Sequence, residues 1–315
     1  MDRSALLPLI EAAVRAPSSH NTQPWRFRLH EDRVDLLADR TRALSINDPR
    51  DRELTISCGA ALFNLRVAGA ARELATRIEL LPDLSEPDLL ARVHLTHGLQ
   101  EPDLVHLHVA IDARRTTRRA FKAGPLADPL VRDLIAAASV EGADLQPVND
   151  DLRPRVAALV ADGDRLQFGN PRWRHELAMW MRPPHAGDGL ATSALMAPLA
   201  RFVVRYVDLG SRIAATDTEL ARQAPLLAIL TTDRETPETW LTAGQALQHL
   251  LLVAATHGVH AGYFNQPCQL DTLRAHLATA ATLGRHPQVL VRLGIPVAPA
   301  RRAPRRPVAD VLVDQ

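Results

Sequence analysis

Apolar and polar positions along the chain fall into blocks whose period shifts between that of a helix and that of a strand. Leu6, Leu7, Ile10, Ala13 and Val14 recur at helical spacing, and Pro17 ends the run. Trp25, Phe27 and Leu29 then alternate with Arg26 and Arg28, the period of a half-buried strand, and a second such strand is expected around Val34 to Leu37. Residues 50–74 predict a long helix with Leu54, Cys58, Ala61, Leu62, Leu65 and Ala68 on one face. Strands are expected near 77–81 and 91–96, whereas 101–113 fits both periods. Asp128-Pro129 predicts a helix start, with Asp128 as cap. Further helices are expected at 151–167, 172–181 and 211–223, with an irregular link, RPPHAGDGL, at 182–190. The apolar run 225–231 reads as a buried strand. Thr236-Pro237 opens a second long helix to about His257, followed by strand 259–264, a helix after Gln269 and strand 288–293.

The pattern repeats. Shifted by 185 positions, Gly59, Ala61, Leu62, Leu65, Ala70 and Pro82 fall on Gly244, Ala246, Leu247, Leu250, Ala255 and Pro267. Each block is a long helix running into a strand, which predicts a duplicated unit with two central helices.

Composition narrows the class. A length of 315 residues with 46% apolar content allows two ordinary domains with real cores. The net charge of +1 gives no global field for nucleic acid or an anionic membrane. Positive charge resides almost wholly in Arg, because Lys122 is the sole lysine. Cys58 and Cys268 are too few for a disulfide framework. The opening MDRSALLPLIEAAVRAP lacks a signal-peptide core, and no apolar run reaches membrane-spanning length. These features lead us to expect a soluble, cytoplasmic protein with neither membrane nor nucleic-acid partner.

Candidate chemistry collects in three polar stretches. The loop SSHNTQ, residues 18–23, leaves the first helix and enters the first strand. On its residues alone it is either a capped turn or a row of hydrogen-bonding groups facing a ligand. RRTTRRAF places Arg114, Arg115, Arg118 and Arg119 around two hydroxyls, either as a solvated connector or as a phosphate clamp of guanidinium forks. RRAPRR, residues 301–306, is a second cluster. Other constellations are weaker. Adjacent Ser19 and His20 do not signal a triad. His94, His97, His106, His108, His257 and His260 lack the spacing and acid or thiol partners of a metal site. No G-x-G-x-x-G or P-loop occurs; Gly187 and Gly189 alone are too little. Trp173, Met179, Trp180 and Met181 read as core or as a flap.

APSSHNTQPWRF, RRTTRRAF, the paired long helices and the final PRRPVADV together resemble the FMN-dependent nitroreductase superfamily, in its Acg-like branch. That resemblance implies an α+β fold: two nitroreductase-like halves fused in one chain as a pseudo-dimer, each a mostly antiparallel sheet flanked by helices. The halves are expected at 1–113 and 114–315, with a possible lid at 165–200. The C-terminal VADVLV is expected to add a strand to the opposite half. Carried over by position, Arg115, Thr117 and Arg119 hold the phosphate and ribityl end of FMN, and Arg305 or Arg306 completes the phosphate shell. Pro17, Ser18, Ser19 and Asn21 face the pyrimidine edge of the ring. Gly262, Tyr263 and, more loosely, Asn265 cover one ring face.

The resemblance implies flavin-mediated hydride transfer from NAD(P)H to a nitro, quinone or similar acceptor. A second reading is a protein that sequesters FMN beneath the lid. One FMN is expected per chain, with the chain functional by itself and no metal. The mirror-related position, SVEGADLQPV, is expected to put Glu141 and Asp144 where ring donors would be wanted. No catalytic residue is assigned.

Overall fold

The computed structural model describes residues 3–98, 100–193, 195–281 and 284–313. Helix α1 (Arg3–Ala13) leads into a hairpin of β1 (Trp25–Leu29) and β2 (Arg33–Ala38). Helix α2 (Arg52–Ala70) follows, then the hairpin β3 (Leu74–Leu80) and β4 (Leu89–His97), then α3 (His108–Ala113). Next come α4 (Asp128–Val140) and β5 (Asp144–Pro147). Helices α5 (Arg153–Gly169) and α6 (Pro171–Trp180) precede two short strands, β6 (Met181–Arg182) and β7 (Leu190–Ala191). After α7 (Ala197–Tyr206) and α8 (Gly210–Arg222) the chain forms β8 (Leu226–Thr232) and α9 (Pro237–Thr256). It continues with β9 (His260–Tyr263), α10 (Gln266–Gln269), α11 (Asp271–Ala281) and β10 (His286–Gly294), and returns as β11 (Leu312–Val313).

The first sheet runs β11-β1-β2-β4-β3 and the second β5-β8-β10-β9. Apart from the parallel pairing of β11 with β1, neighbours in both sheets are antiparallel. The strand order is therefore the same in each, with β5, β8, β10 and β9 standing for β1, β2, β4 and β3. Helix α1 corresponds to α4, and α2 to α9. The run from α5 to α8 lies between β5 and β8, whose counterparts β1 and β2 are joined by a tight turn.

Helices α2 and α9 cross through glycine. A Cβ on Gly59 would lie 2.2 Å from the Leu241 carbonyl oxygen, and one on Gly244 would lie 2.0 Å from that of Ile56. Phe63 stacks on His249 with ring centroids 4.7 Å apart, while the Gln248 amide donates to Asn64 Oδ1 at 2.7 Å. Ile56 and Leu241, Gly59 and Gly244, Phe63 and Gln248, and Asn64 and His249 are each 185 positions apart. The contacts are thus reciprocal, as at a two-fold interface.

Burial explains the strand patterns. β1 alternates buried and half-buried positions because α1 and α2 cover one face of the first sheet. The other face carries charge: Asp35 is ringed by Arg28, His30, Arg33 and Arg92 at 3.2 to 3.9 Å. β8 is buried throughout. Its Leu226, Ala228 and Leu230 pack with α4 and α9, while Leu227 and Ile229 pack with α5 and α11. A strand covered on both faces reads as a continuous apolar run.

Several expectations move. The helix expected from residue 50 starts at Arg52, because Asp51 adopts φ 54°, and it ends before β3 begins at Leu74. Segment 102–113 is helical. Asp128 is the first helical residue of α4, preceded by Ala127 in the cap position. β5 and α7 were not anticipated: β5 contains Pro147 at an edge, and α7 keeps its apolar residues outside.

Candidate functional site

The loop between α1 and β1 is strained and heavily braced. His20, Asn21 and Gln23 hold φ of 49°, 56° and 52°. Asn tolerates this left-handed region, but His and Gln enter it rarely, at a cost of about 1 kcal/mol or more each. The Ser18 hydroxyl accepts from the Gln23 amide at 2.9 Å, closing the turn. The C-terminal segment then clamps it. Arg305 donates to the carbonyls of Arg15 and Ala16 at 3.0 and 2.9 Å and to Asn21 Oδ1 at 3.0 Å. Arg306 donates through its amide to Gln23 Oε1 at 2.9 Å and through its guanidinium to the Gln23 carbonyl at 3.2 Å.

A cover closes the other side. Asn21 Nδ2 donates to the carbonyls of Gly189 and Pro304, and Gln23 Nε2 donates to the Gly187 carbonyl at 2.9 Å. Asp188 pairs with Arg42 and, at 3.0 Å, with Arg182. Gly187 and Gly189 both have positive φ. A Cβ on Gly189 would lie 2.5 Å from the Trp180 carbonyl, and one on Gly187 3.2 Å from that of Arg305. These glycines let the link fold back onto the loop. Upstream, Trp173 Nε1 donates to Asn47 Oδ1 at 2.8 Å, and Glu176 accepts from the Ile46 and Asn47 amides at 2.9 Å. Trp173 and Trp180 are buried.

Beneath the loop lies a buried carboxylate that sequence reasoning missed. Glu53, in the first turn of α2, accepts from Ser19 Oγ at 2.6 Å, Asn265 Nδ2 at 3.1 Å and Gln269 Nε2 at 3.0 Å. An ionised carboxylate only accepts, so its oxygens gather donors from both ends of the chain. A Glu in a first helical turn is too common a signal to have singled it out.

The Arg-rich segment 114–119 runs against β9. The Thr117 amide donates to the Ala261 carbonyl at 2.7 Å, and its hydroxyl lies 3.1 Å from His260 Nδ1. A Cβ on Gly262 would lie 2.6 Å from the Thr117 carbonyl oxygen, so this approach requires glycine. Arg114 is buried and donates to the Arg15 carbonyl at 3.3 Å. Tyr263 lies close to Arg114, with its hydroxyl buried beside Thr116 and without a well-formed hydrogen bond.

The electrostatics single out a cationic cluster. Burial first, and then Arg114, Arg15, Arg302 and Arg115, push the Arg305 guanidinium down to about 9. Arg114 and Arg115 are also lowered, chiefly by burial. Asp112 pairs with Arg15 at 3.7 Å and with Arg302. Among the described residues no carboxylate pairs with Arg114 or Arg305, and the Nε of each is buried and unbonded. His20 Nδ1 is likewise buried and unbonded; burial and then Arg118 lower this imidazole to about 4.

Contacts thus join Asn21 with Arg305, Ser19 with Asn265 through Glu53, and Thr117 with Gly262, while Arg115 and Tyr263 lie near Arg114; Pro17 and Ser18 belong to the loop that Arg305 clamps. Arg118 and Arg119 are both exposed; the charge of Arg118 acts on His20, and Arg119 joins none of the contacts described. Arg306 faces the Asp39 carboxylate at 3.5 Å and the Asp310 carbonyl at 2.5 Å, as a strut of the tail. Asn265 spans Glu53 and the Leu290 amide.

The mirror-related position differs from expectation. Between α4 and β5 only residues 141–143 remain, against 14–24 between α1 and β1, so no second loop is built. Asp144 already lies in β5 and pairs with Arg285 at 2.8 Å. The Glu141 side chain is covered, accepting from Arg66 at 2.5 Å and His249 at 3.1 Å; burial opposes its ionisation, but these two partners hold it below the usual carboxylate range.

Two further results bear on chemistry. Among the described residues no three His, Cys, Asp or Glu side chains gather as metal ligands would, and no helix is long and apolar enough to cross a membrane. Cys58 and Cys268 are buried, and burial drives both thiols upward, Cys268 to about 11.

No protein-family model matches the chain. A Mycobacterium tuberculosis protein named "Putative NAD(P)H nitroreductase acg" is 28% identical over 308 residues, 96% of this chain and 93% of that protein. A second from that organism, "Uncharacterized protein Rv3127", is 30% identical over 318 residues, 95% of this chain and 90% of its own length. Among solved structures, the FMN-dependent nitroreductase NfnB from Mycobacterium smegmatis in complex with NADPH is 21% identical. That match covers 66% of this chain and 97% of that one, with a TM-score of 0.42. Relatives named as putative NAD(P)H nitroreductases, one of them acg, thus match this chain almost from end to end at 28% identity.

Proposed function

We propose that the chain binds one FMN between its two halves, 1–113 and 114–315, and passes hydride from NAD(P)H to a nitro, quinone or similar acceptor. The carrying observation is a pair of guanidiniums, the buried Arg114 and the half-buried Arg305, that among the described residues lack a carboxylate and have buried, unbonded Nε atoms, beside a strained polar loop. Cations so placed fit a phosphate, whose oxygens accept guanidinium donors bidentately. Between the two tail arginines this favours Arg305 for the phosphate. The unbonded His20 Nδ1 and Tyr263 hydroxyl fit a flat heterocycle with polar edges.

When bound, FMN supplies the hydride chemistry. The protein's part is to hold and orient. Arg114, Arg115 and Arg305 would neutralise the phosphate, with Thr117 beside them. Ser18, Ser19 and Asn21 sit on the loop that would face the ring's pyrimidine edge, held there by Glu53, Arg305 and Gln23. Gly262 lets β9 lie close to residue 117, bringing Tyr263 to the same place. The reciprocal contacts at the α2–α9 crossing support reading the chain as a pseudo-dimer. The paired charges around Glu141 support a single site.

One observation favours the second reading, sequestration: Gly187 and Gly189 are hydrogen-bonded to the loop itself, so the link 182–190 lies over it as a lid. Anaerobic mixing of the FMN-loaded protein with NADPH or NADH separates the two. Oxidoreductase activity predicts bleaching of the flavin absorbance within seconds to minutes. Flavin that stays oxidised would leave sequestration as the function.

A further inference from the structure

Helix α7 is amphipathic in the reverse sense of an ordinary surface helix. Leu195, Leu199, Phe202 and Tyr206, spaced four, three and four apart, share one face of the helix and the turn before it. Their exposures are 89%, 55%, 60% and 60%. Ala197 is buried instead, and Ala200 and Val204 are half-buried. A contiguous apolar stripe turned to solvent marks a binding surface rather than chance exposure.

The stripe borders a groove between α6 and α7. Ala178 and Met179 from α6 and Phe202 and Tyr206 from α7 form its apolar surface. His175, Arg182, Arg201 and Arg205 supply its polar rim. The walls are braced, since Arg201 Nε donates to the Met181 carbonyl at 2.6 Å and Arg174 Nε to that of Arg205 at 3.3 Å. Arg182 is taken by Asp188 and lies over Trp180. Arg205 lies over the Tyr206 ring, 5.3 Å from its centroid. Among the described residues neither Arg201 nor Arg205 has a carboxylate partner. The acid of α6, Glu176, is committed to the Ile46 and Asn47 amides.

We infer that this groove binds a small amphipathic anion: an aliphatic or aromatic tail along Phe202, Tyr206 and Leu199, with a carboxylate, sulfonate or phosphate head on Arg201 and Arg205. Charge selects this occupant. A second copy docking face to face would bring the same arginines together and repel. Cations lining a cleft between two helices suit the head of one molecule better than the plane of a membrane. The inference stands apart from the flavin reading, because neither Arg201 nor Arg205 touches the loop or the Arg-rich segment.

Titration calorimetry of the full chain with monomeric dodecanoate tests it, with dodecyl maltoside as the neutral amphiphile of equal tail length. Expected is one saturable dodecanoate site per chain, with dodecyl maltoside about tenfold weaker. The double variant Arg201→Gln, Arg205→Gln should weaken dodecanoate about tenfold, the scale of two exposed charge contacts, and Phe202→Ser should weaken both amphiphiles. Unchanged far-ultraviolet circular dichroism and thermal midpoint in each variant show that the fold is intact. Equal affinity for the two amphiphiles, or dodecanoate binding untouched in the double variant, would overturn the inference. So would capture by phosphatidylglycerol vesicles without binding of monomeric dodecanoate, or dimerisation abolished by Phe202→Ser.

Discussion

The links that follow α1 and α4 occupy corresponding places in the two sheets and have opposite fates. After α1 the chain spends residues 14–24 on a loop with three non-glycine residues in the left-handed region, clamped by the C-terminal segment and by the link 182–190. After α4 it spends only 141–143, and a paired carboxylate closes the place. Backbone strain is thus confined to the longer, polar link. The lesson is that both sheets share one frame, α2 against α9, while only one of the two corresponding corners carries a strained, donor-rich loop.

The largest expected effect tests the frame itself. In Gly244→Ala the new methyl would meet the Ile56 carbonyl oxygen at 2.0 Å. Helix separation must grow, at a cost of about 3 kcal/mol or more, read as a fall in thermal midpoint. Gly59→Ala should cost nearly as much, because the contact is reciprocal. A neutral result at either position would dissolve the two-fold reading of the crossing.

Next is the cationic corner. Arg305→Ala should weaken FMN retention by about 1.5–3 kcal/mol, the scale of hydrogen bonds to a charged group. Riboflavin, lacking the phosphate, should respond much less. Arg119→Ala should have the smaller effect, since Arg119 is exposed outside the cluster. Equal losses for FMN and riboflavin would reduce Arg305 to a clamp of the loop.

Glu53→Gln follows, at about 1–3 kcal/mol. The new amide group would oppose the donors of Asn265 and Gln269, freeing Ser19 and the loop it sits on. Hydrogen exchange should rise in residues 18–23 and stay unchanged in 141–143.

The smallest effect is in pH dependence. His20 titrates near 6.5 in the unfolded chain and about 4 in the folded one, through burial and then Arg118. Between those values the unfolded chain binds more protons, so this contribution to stability is present above about pH 6.5 and is lost as pH falls towards 4. His20→Asn, which tolerates the left-handed backbone, should remove that component. The stability of the variant relative to the parent should therefore rise as pH falls from about 6.5 towards 4. Parallel pH profiles would show that His20 is not held neutral.

The frame was legible because it rests on local signals. Proline and threonine marked the start of α9, alternation marked β1 and β2, and an unbroken apolar run marked β8. The 185-residue echo placed Gly59 on Gly244 before their contact was known. Less was legible at the site. The loop and Arg-rich segments were found by composition, but Glu53 serves through partners more than 200 positions away, which no local pattern encodes. β5 was hidden by its length, and α7 by an apolar face turned outward. The brevity of the 141–143 link was not legible because β5, a four-residue edge strand ending in proline, carries too weak a pattern to mark where the link ends.

The count of bound flavin tests the central claim most directly. FMN-saturated protein, freed of excess ligand, is denatured and the released flavin is measured against protein concentration. One equipped corner predicts one FMN per 315-residue chain. Two per chain would contradict the single-site account, and none after reconstitution would contradict the flavin assignment.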